Sequence, residues 1–224
     1  MATHLDLEEQ EQLDQLKHFW AKYGNLITLT LVLALGGVAA WNGWQYWQYR
    51  GAEQATVLFD ELERAVQAND IERVARVTAD LQSQHGRTLQ AAQASLLAAR
   101  TLHGAQKVDD ARAALQWVVD KGSDDAYQAL ARVRLAGLLM DQKAYDEALK
   151  VLDAKVPPAM TSLAADRRGD ILLAQGQRDA AKAAYQAAYR DMDADAGYRR
   201  LVEAKLAALG VVVGEDAATK EKTP

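Results

Sequence analysis

An apolar run at residues 26–40, closed at both ends by aromatic side chains, leaves this chain few ways to fold. Phe19, Trp20 and Tyr23 stand before it; Trp41, Trp44, Tyr46, Trp47 and Tyr49 stand after it. Four of the five tryptophans lie here, and no Asp, Glu, Lys or Arg occurs between Lys22 and Arg50. A helix satisfies its own backbone groups, and about 20 apolar residues of helix cross a bilayer core. Tryptophan and tyrosine, apolar in body and polar at one tip, belong at the lipid–water boundary. Residues 23–47 therefore predict one tilted membrane span, surrounded by lipid, with Trp20, Tyr23, Trp41, Trp44 and Trp47 at its interfaces.

The chain beyond the span reads as a tethered domain. It carries a net charge of −5 overall with acids and bases interleaved, so it presents no basic footprint for nucleic acid. It has no cysteine, which excludes a disulfide framework, a thiolate metal site, a thiol nucleophile and an acylated cysteine anchor. Lys17 and Lys22 precede the span, whereas Arg50 lies after it and the next base is Arg64. That bias predicts a cytoplasmic segment at 1–22 and a C-terminal domain on the far side. A cleaved signal competes, because Val38-Ala39-Ala40 resembles a small-residue cleavage site. The lead-in is acidic, however, with Asp6, Glu8, Glu9, Glu11 and Asp14 where a signal peptide is positive, so a retained anchor is expected. Within the span, Gly36 and Ala40 are small residues four apart, a spacing that suits packing on a partner helix. Leu13, Leu16, Trp20 and Tyr23 recur at helical spacing and predict a helix that runs into the span.

Residues 48–210 form the second region, rich in Ala, Leu, Gln, Arg, Asp and Glu, and its only prolines, Pro157 and Pro158, fall together. Four turn-plus-helix starts align: Ala68-Asn69-Asp70-Ile71, Gln106-Lys107-Val108-Asp109, Lys143-Ala144-Tyr145-Asp146 and Gly176-Gln177-Arg178-Asp179. A small residue comes after each, at Val74, Ala111, Ala148 and Ala181, in steps of 37, 37 and 33. Four residues later stand Thr78 (a poor match), Leu115, Leu152 and Tyr185. Small-then-large at this spacing, on the second helix of a pair, is the pattern of a tetratricopeptide (TPR) repeat. The small residue admits close helix approach, and the larger one packs between units. Gly169 with Leu172, and Leu135 with Leu139, match the first-helix pattern. The fold class expected is all-α: one transmembrane helix, then a TPR-like α-solenoid of about four helix pairs and a capping helix at 196–209. The pattern departs from the repeat consensus in lacking a first-helix tryptophan, and the 37-residue steps predict loop insertions. With no flexible linker in the sequence, the first repeat helix is expected to start close to the span. Gly210 is expected to end the cap, and residues 211–224 to form a polar, disordered tail.

Over nearly the whole chain before that tail, the sequence resembles the YfgM-like family of single-span, TPR-like ancillary subunits of the bacterial Sec translocon. The resemblance rests on the acidic start leading into Phe19-Trp20-Ala21-Lys22-Tyr23-Gly24, on Gly43-Trp44-Gln45-Tyr46-Trp47, and on Asp166-Arg167-Arg168-Gly169-Asp170-Ile171-Leu172-Leu173-Ala174-Gln175-Gly176. It implies an inner-membrane protein with a periplasmic C-terminal domain, working beside Sec translocon subunits and with a membrane-anchored periplasmic chaperone. It further implies handover of unfolded envelope proteins, and a cytoplasmic regulatory contact through the N-terminal segment.

Enzyme chemistry finds little support. The chain has no phosphate loop, no GxGxxG and no HExxH. His4, His18, His85 and His103 lack ligand spacing, so neither metal nor cofactor is expected. Asp166 and Asp170 share a helix face as paired carboxylates would, but Arg167 and Arg168 adjoin them, as on an ordinary solvated face. Binding should reside on the first helices, whose positions two, five, nine and twelve face the groove of a TPR solenoid. This predicts a partner groove of Phe59, Leu96, Arg100, His103, Leu130, Val133, Gly137, Met140, Asp166 and Asp170, apolar in its middle and suited to peptide segments. It lacks the Lys and Asn cluster that would clamp a terminal carboxylate. The alternatives are a holdase for many clients and a structural adaptor with one fixed partner, or a packing role for several of these side chains.

Overall fold

The computed structural model describes residues 7–193 and 197–213, and side chains over 11–43, 51–193 and 197–213. It is all-helical among the described residues. In chain order come α1 (Leu7–Gln67), α2 (Ile71–Gln84), α3 (Leu89–Gly104), α4 (Val108–Lys121) and α5 (Asp125–Asp141). Then come α6 (Tyr145–Val151), α7 (Pro158–Ala174), α8 (Arg178–Arg190) and α9 (Arg199–Ala208). Two compact units divide the chain at Gly51 and Ala52.

The described residues of the first unit belong to α1. Its stretch Glu11–Gly43 holds an apolar segment long enough to cross a membrane, with a mean hydropathy of 1.7 over 18 residues. Leu26, Leu29, Val32, Leu33, Leu35 and Val38 stay exposed along it, so no protein neighbour covers them. The hydroxyls of Thr28 and Thr30 donate to Gly24 O and Leu26 O, at 2.7 Å and 2.8 Å, which leaves neither as a free donor in lipid. A Cβ built on Gly36 meets nothing, and Ala40 is exposed, so this small face is open. Trp20, Tyr23 and Trp41 are exposed as an interfacial role requires; the side chains of Trp44 and Trp47 lie outside the described residues.

The second unit pairs helices. Residues 52–67 of α1 with α2, α3 with α4, α5 with α6, and α7 with α8 make four repeats, and α9 packs on α8. Each first helix ends on a residue with positive φ: Asn69 at 54°, Gln106 and Lys143 at 61°, Gly176 at 79°. The next N–H then reaches back five residues, as Asp70 to Ala65 O, Lys107 to Leu102 O, Ala144 to Leu139 O and Gln177 to Leu172 O, at 2.8–2.9 Å. This left-handed closure satisfies the carbonyls left over at a helix end and turns the chain into its partner helix. Each of these residues precedes the small residue of its repeat by five, so the turn and the packing share one period. Gly210, φ 79°, closes α9 in the same way, with Val211 N–H donating to Leu206 O. N-caps open other helices: Asp70 accepts from Arg73 N–H, Thr88 from Ala91 N–H, and Asp124 from Ala126 and Tyr127 N–H.

Val74, Ala111, Ala148 and Ala181 are all fully buried, and so are Leu115, Leu152 and Tyr185 within a few per cent. Thr78, the poor match, is buried too, and its hydroxyl donates to Val74 O at 2.7 Å, which removes the cost of a free donor. One correction concerns the long repeat steps. The steps are filled by helix, with α3 16 residues long and α4 14, and the turns between them are short rather than carrying insertions. The cap is also shorter than the sequence pattern predicts, with α9 starting at Arg199. The core runs from Ala55 to Ile171 as one cluster, and Tyr185, Val202 and Leu206 anchor a second one under α9.

Candidate functional site: an arginine cleft on the first helices

The residues predicted for the groove divide into three groups. Leu96 and Val133 are buried in the core, 5% and 3% exposed, because α3 and α5 turn these positions toward neighbouring helices. Phe59, Leu130 and Met140 pack partly on the same core and keep part of their surface open. Arg100, His103 and Gly137 line an open cleft of about 460 Å³ together with Ala99, Leu115, Arg134, Leu138, Asp141 and Arg167.

The cleft is positively charged. Arg100 comes from α3, Arg134 from α5 and Arg167 from α7, so three successive first helices each supply a guanidinium. Asp141 is the one carboxylate among its lining residues. Arg134 has its pKa pushed down, first by burial and then by the like charge of Arg100. Among the described residues it donates to Leu96 O at 3.4 Å. Arg167 reaches Asp170 only at 3.4 Å, and its Nε is buried with no hydrogen-bond partner. Its guanidinium lies over Gly137, where an added Cβ would stand 3.3 Å from Cζ. A side chain at Gly137 would press on the guanidinium only at its flexible end.

Asp166 and Asp170 do something else. Asp166 is 1% exposed and accepts from Lys205 Nζ at 2.8 Å and 2.9 Å and from Tyr198 Oη at 2.6 Å. Asp170 accepts from the same Nζ at 2.6 Å and from Tyr185 Oη at 2.8 Å. The pair thus fastens α7 to α8 and α9, and α9 covers the stretch of groove assigned to these two residues. Burial, followed by the hydrogen bonds to these carboxylates, raises the phenol pKa values of Tyr185 and Tyr198. Among the described residues no cluster of His, Asp and Glu could hold a metal.

Arg134 and Arg167 were not among the sequence-predicted groove residues. Both stand at position six of their repeats, 33 residues apart, which is the step between Ala148 and Ala181. A base recurring in register with the repeat was the available signal.

A span-length apolar helix and four helix pairs closed by a common turn define a TPR-like helical-repeat protein with one helix long and apolar enough to cross a membrane. Comparison with known proteins agrees: the tetratricopeptide repeat-like domain family matches residues 17–211. An "Ancillary SecYEG translocon subunit" of Neisseria gonorrhoeae is 36% identical over 213 residues, covering 93% of this chain and 100% of the relative. Proteins of the same description from Escherichia coli K12 and Haemophilus influenzae are 28% and 27% identical, over 80% and 81% of this chain and 86% and 89% of their own lengths. The chain belongs to this TPR-like family of ancillary SecYEG translocon subunits.

Proposed function

We propose that this chain is a non-enzymatic accessory subunit of a Sec translocon that receives newly translocated, unfolded envelope proteins and passes them to a membrane-anchored periplasmic chaperone. The helix α1 anchors it in the bacterial inner membrane as a single pass, in contact with lipid. The lysines before the span hold the N-terminal segment in the cytoplasm, where it is placed to meet a regulatory partner, and the repeats stand in the periplasm. The observation that carries this reading is the match to the Neisseria relative along that protein's whole length, span and repeats together. The open small-residue face at Gly36 and Ala40 suits a neighbouring membrane helix.

The cleft favours a second reading for the repeat domain, an adaptor selective for one fixed partner. Its accessible chemistry is three arginines rather than a continuous apolar surface, because Leu96 and Val133 are consumed by the core.

In-cell photocrosslinking with probes at Gly36, His103 and Leu173 separates these outcomes. Translocon subunits are expected at Gly36, and a spread of nascent envelope proteins with a chaperone subunit at His103 and Leu173. A single protein at the groove sites would convert the handover reading to the adaptor. No translocon subunit at Gly36 would remove the Sec assignment.

A further inference from the structure

Arg100, Arg134 and Arg167 converge on one opening where the fold supplies little opposing charge. Their neighbour Arg168 meets Asp153 at 2.7 Å, and Arg73 meets Glu61 at 3.0 Å. Arg100, by contrast, makes no hydrogen bond or ion pair among the described residues. Arg134 donates only to a carbonyl at 3.4 Å, and Arg167 holds its carboxylate at the same long distance. Asp170 is shared, its Oδ2 facing Arg167 at 3.4 Å while its Oδ1 accepts from Lys205 at 2.6 Å and Tyr185 at 2.8 Å. Three guanidinium groups therefore face one opening against one lining carboxylate, Asp141, on a protein whose net charge is −5. Like charges brought together destabilise a fold unless something of opposite sign completes them.

Guanidinium groups offer planar, paired donors that match carboxylates, and such bonds are shorter and stronger than neutral ones. The three come from successive parallel elements of the solenoid, so they form a row across the first helices rather than a point. A row of donors in an open cleft fits carboxylates spaced along an extended chain better than a single small anion.

We propose that the cleft between α3, α5 and α7 binds acidic segments of polypeptide, with Arg100, Arg134 and Arg167 each pairing with a side-chain carboxylate. This deepens the reading that the repeats receive polypeptide, and rests on it. It makes the domain selective for charge, with acidic stretches held and basic ones refused.

The test uses the full chain in nanodiscs of zwitterionic lipid and fluorescence anisotropy of three labelled peptides. One alternates Glu with Ser and Leu, the second carries Gln at each Glu, and the third ends in a free carboxylate but has no other acid. The acidic peptide is expected to bind at least about tenfold more tightly than its amide twin, and to weaken as salt rises to about 0.5 M. Arg134→Gln and Arg167→Gln should each weaken it about tenfold. Arg76→Gln, on α2 and outside the cleft, should leave it unchanged. Arg100→Gln removes a charge that holds no bond in the fold, so its melting temperature should stay level or rise while acidic-peptide binding falls. Equal binding of the acidic and amide peptides, or indifference to all three arginine variants, overturns the proposal. Binding confined to the free-terminus peptide, or full competition by millimolar inorganic phosphate, would overturn it in favour of a terminal-carboxylate or small-anion site. Crosslinking from Gly36 does not depend on the cleft. Its loss with peptide binding intact would sink the translocon reading alone, and the reverse would sink only this one.

Discussion

Single atoms decide how closely the helices of each repeat approach. At Gly169 an added Cβ would stand 2.4 Å from the Tyr185 ring, a contact that the buried ring cannot escape. Gly137 presents the opposite case, since its nearest neighbour is the far end of the Arg167 side chain at 3.3 Å. Gly169→Ala is expected to cost about 2–3 kcal/mol of unfolding free energy in urea titration, as overpacked cores do. Unchanged stability with alanine at 169 would show that the α7–α8 contact is looser than it looks. The sequence pattern pointed to Gly169 through its place in the repeat, but the partner that makes glycine necessary is visible only once α7 and α8 are paired.

At the level of elements, α9 is more than a polar lid. Lys205 reaches across 39 residues to Asp166 and 35 to Asp170, while Tyr198 reaches 32 to Asp166. A carboxylate as buried as Asp166 is tolerable only while its partners remain. Lys205→Met should therefore cost about 3 kcal/mol and selectively speed amide exchange in α9, read by hydrogen-exchange mass spectrometry. Combining it with Asp166→Asn should restore part of the loss, because the uncompensated charge is gone. A Lys205→Met protein with unchanged α9 protection would mean that Val202 and Leu206 hold the helix by packing alone.

The whole molecule has one pH dependence that originates at that end of the solenoid. The phenols of Tyr185 and Tyr198 have native pKa values above the ordinary 10.0, from burial and from the adjoining carboxylates. A group whose native pKa is raised stabilises the fold fully while pH lies below its unfolded value, and loses that contribution as pH rises toward the native one. Unfolding free energy should thus fall progressively above about pH 10, and Tyr198→Phe should flatten the fall. Melting curves between about pH 8 and pH 11 would reveal it. A flat profile there would place both phenols in effective contact with water. At the same scale, the arginine cleft gives a net acidic protein a local surface of the opposite sign, which no total of charges reveals.

The sequence alone was enough for the span and the repeats, because both are local patterns. An uncharged apolar run of this length suits a helix in lipid, which satisfies its own backbone groups, and a small residue recurring every 33 or 37 positions marks where paired helices touch. The turn residues Asn69, Gln106, Lys143 and Gly176 keep the same period. Helical spacing says which side chains share a face of one helix, but not which faces a neighbouring helix will cover. Tertiary packing alone buried Leu96 and Val133, locked Asp166 and Asp170 under α9, and left Arg100, Arg134 and Arg167 around one opening. Those outcomes depend on partners more than 30 residues away in the chain, and only the stacked helices bring them within reach.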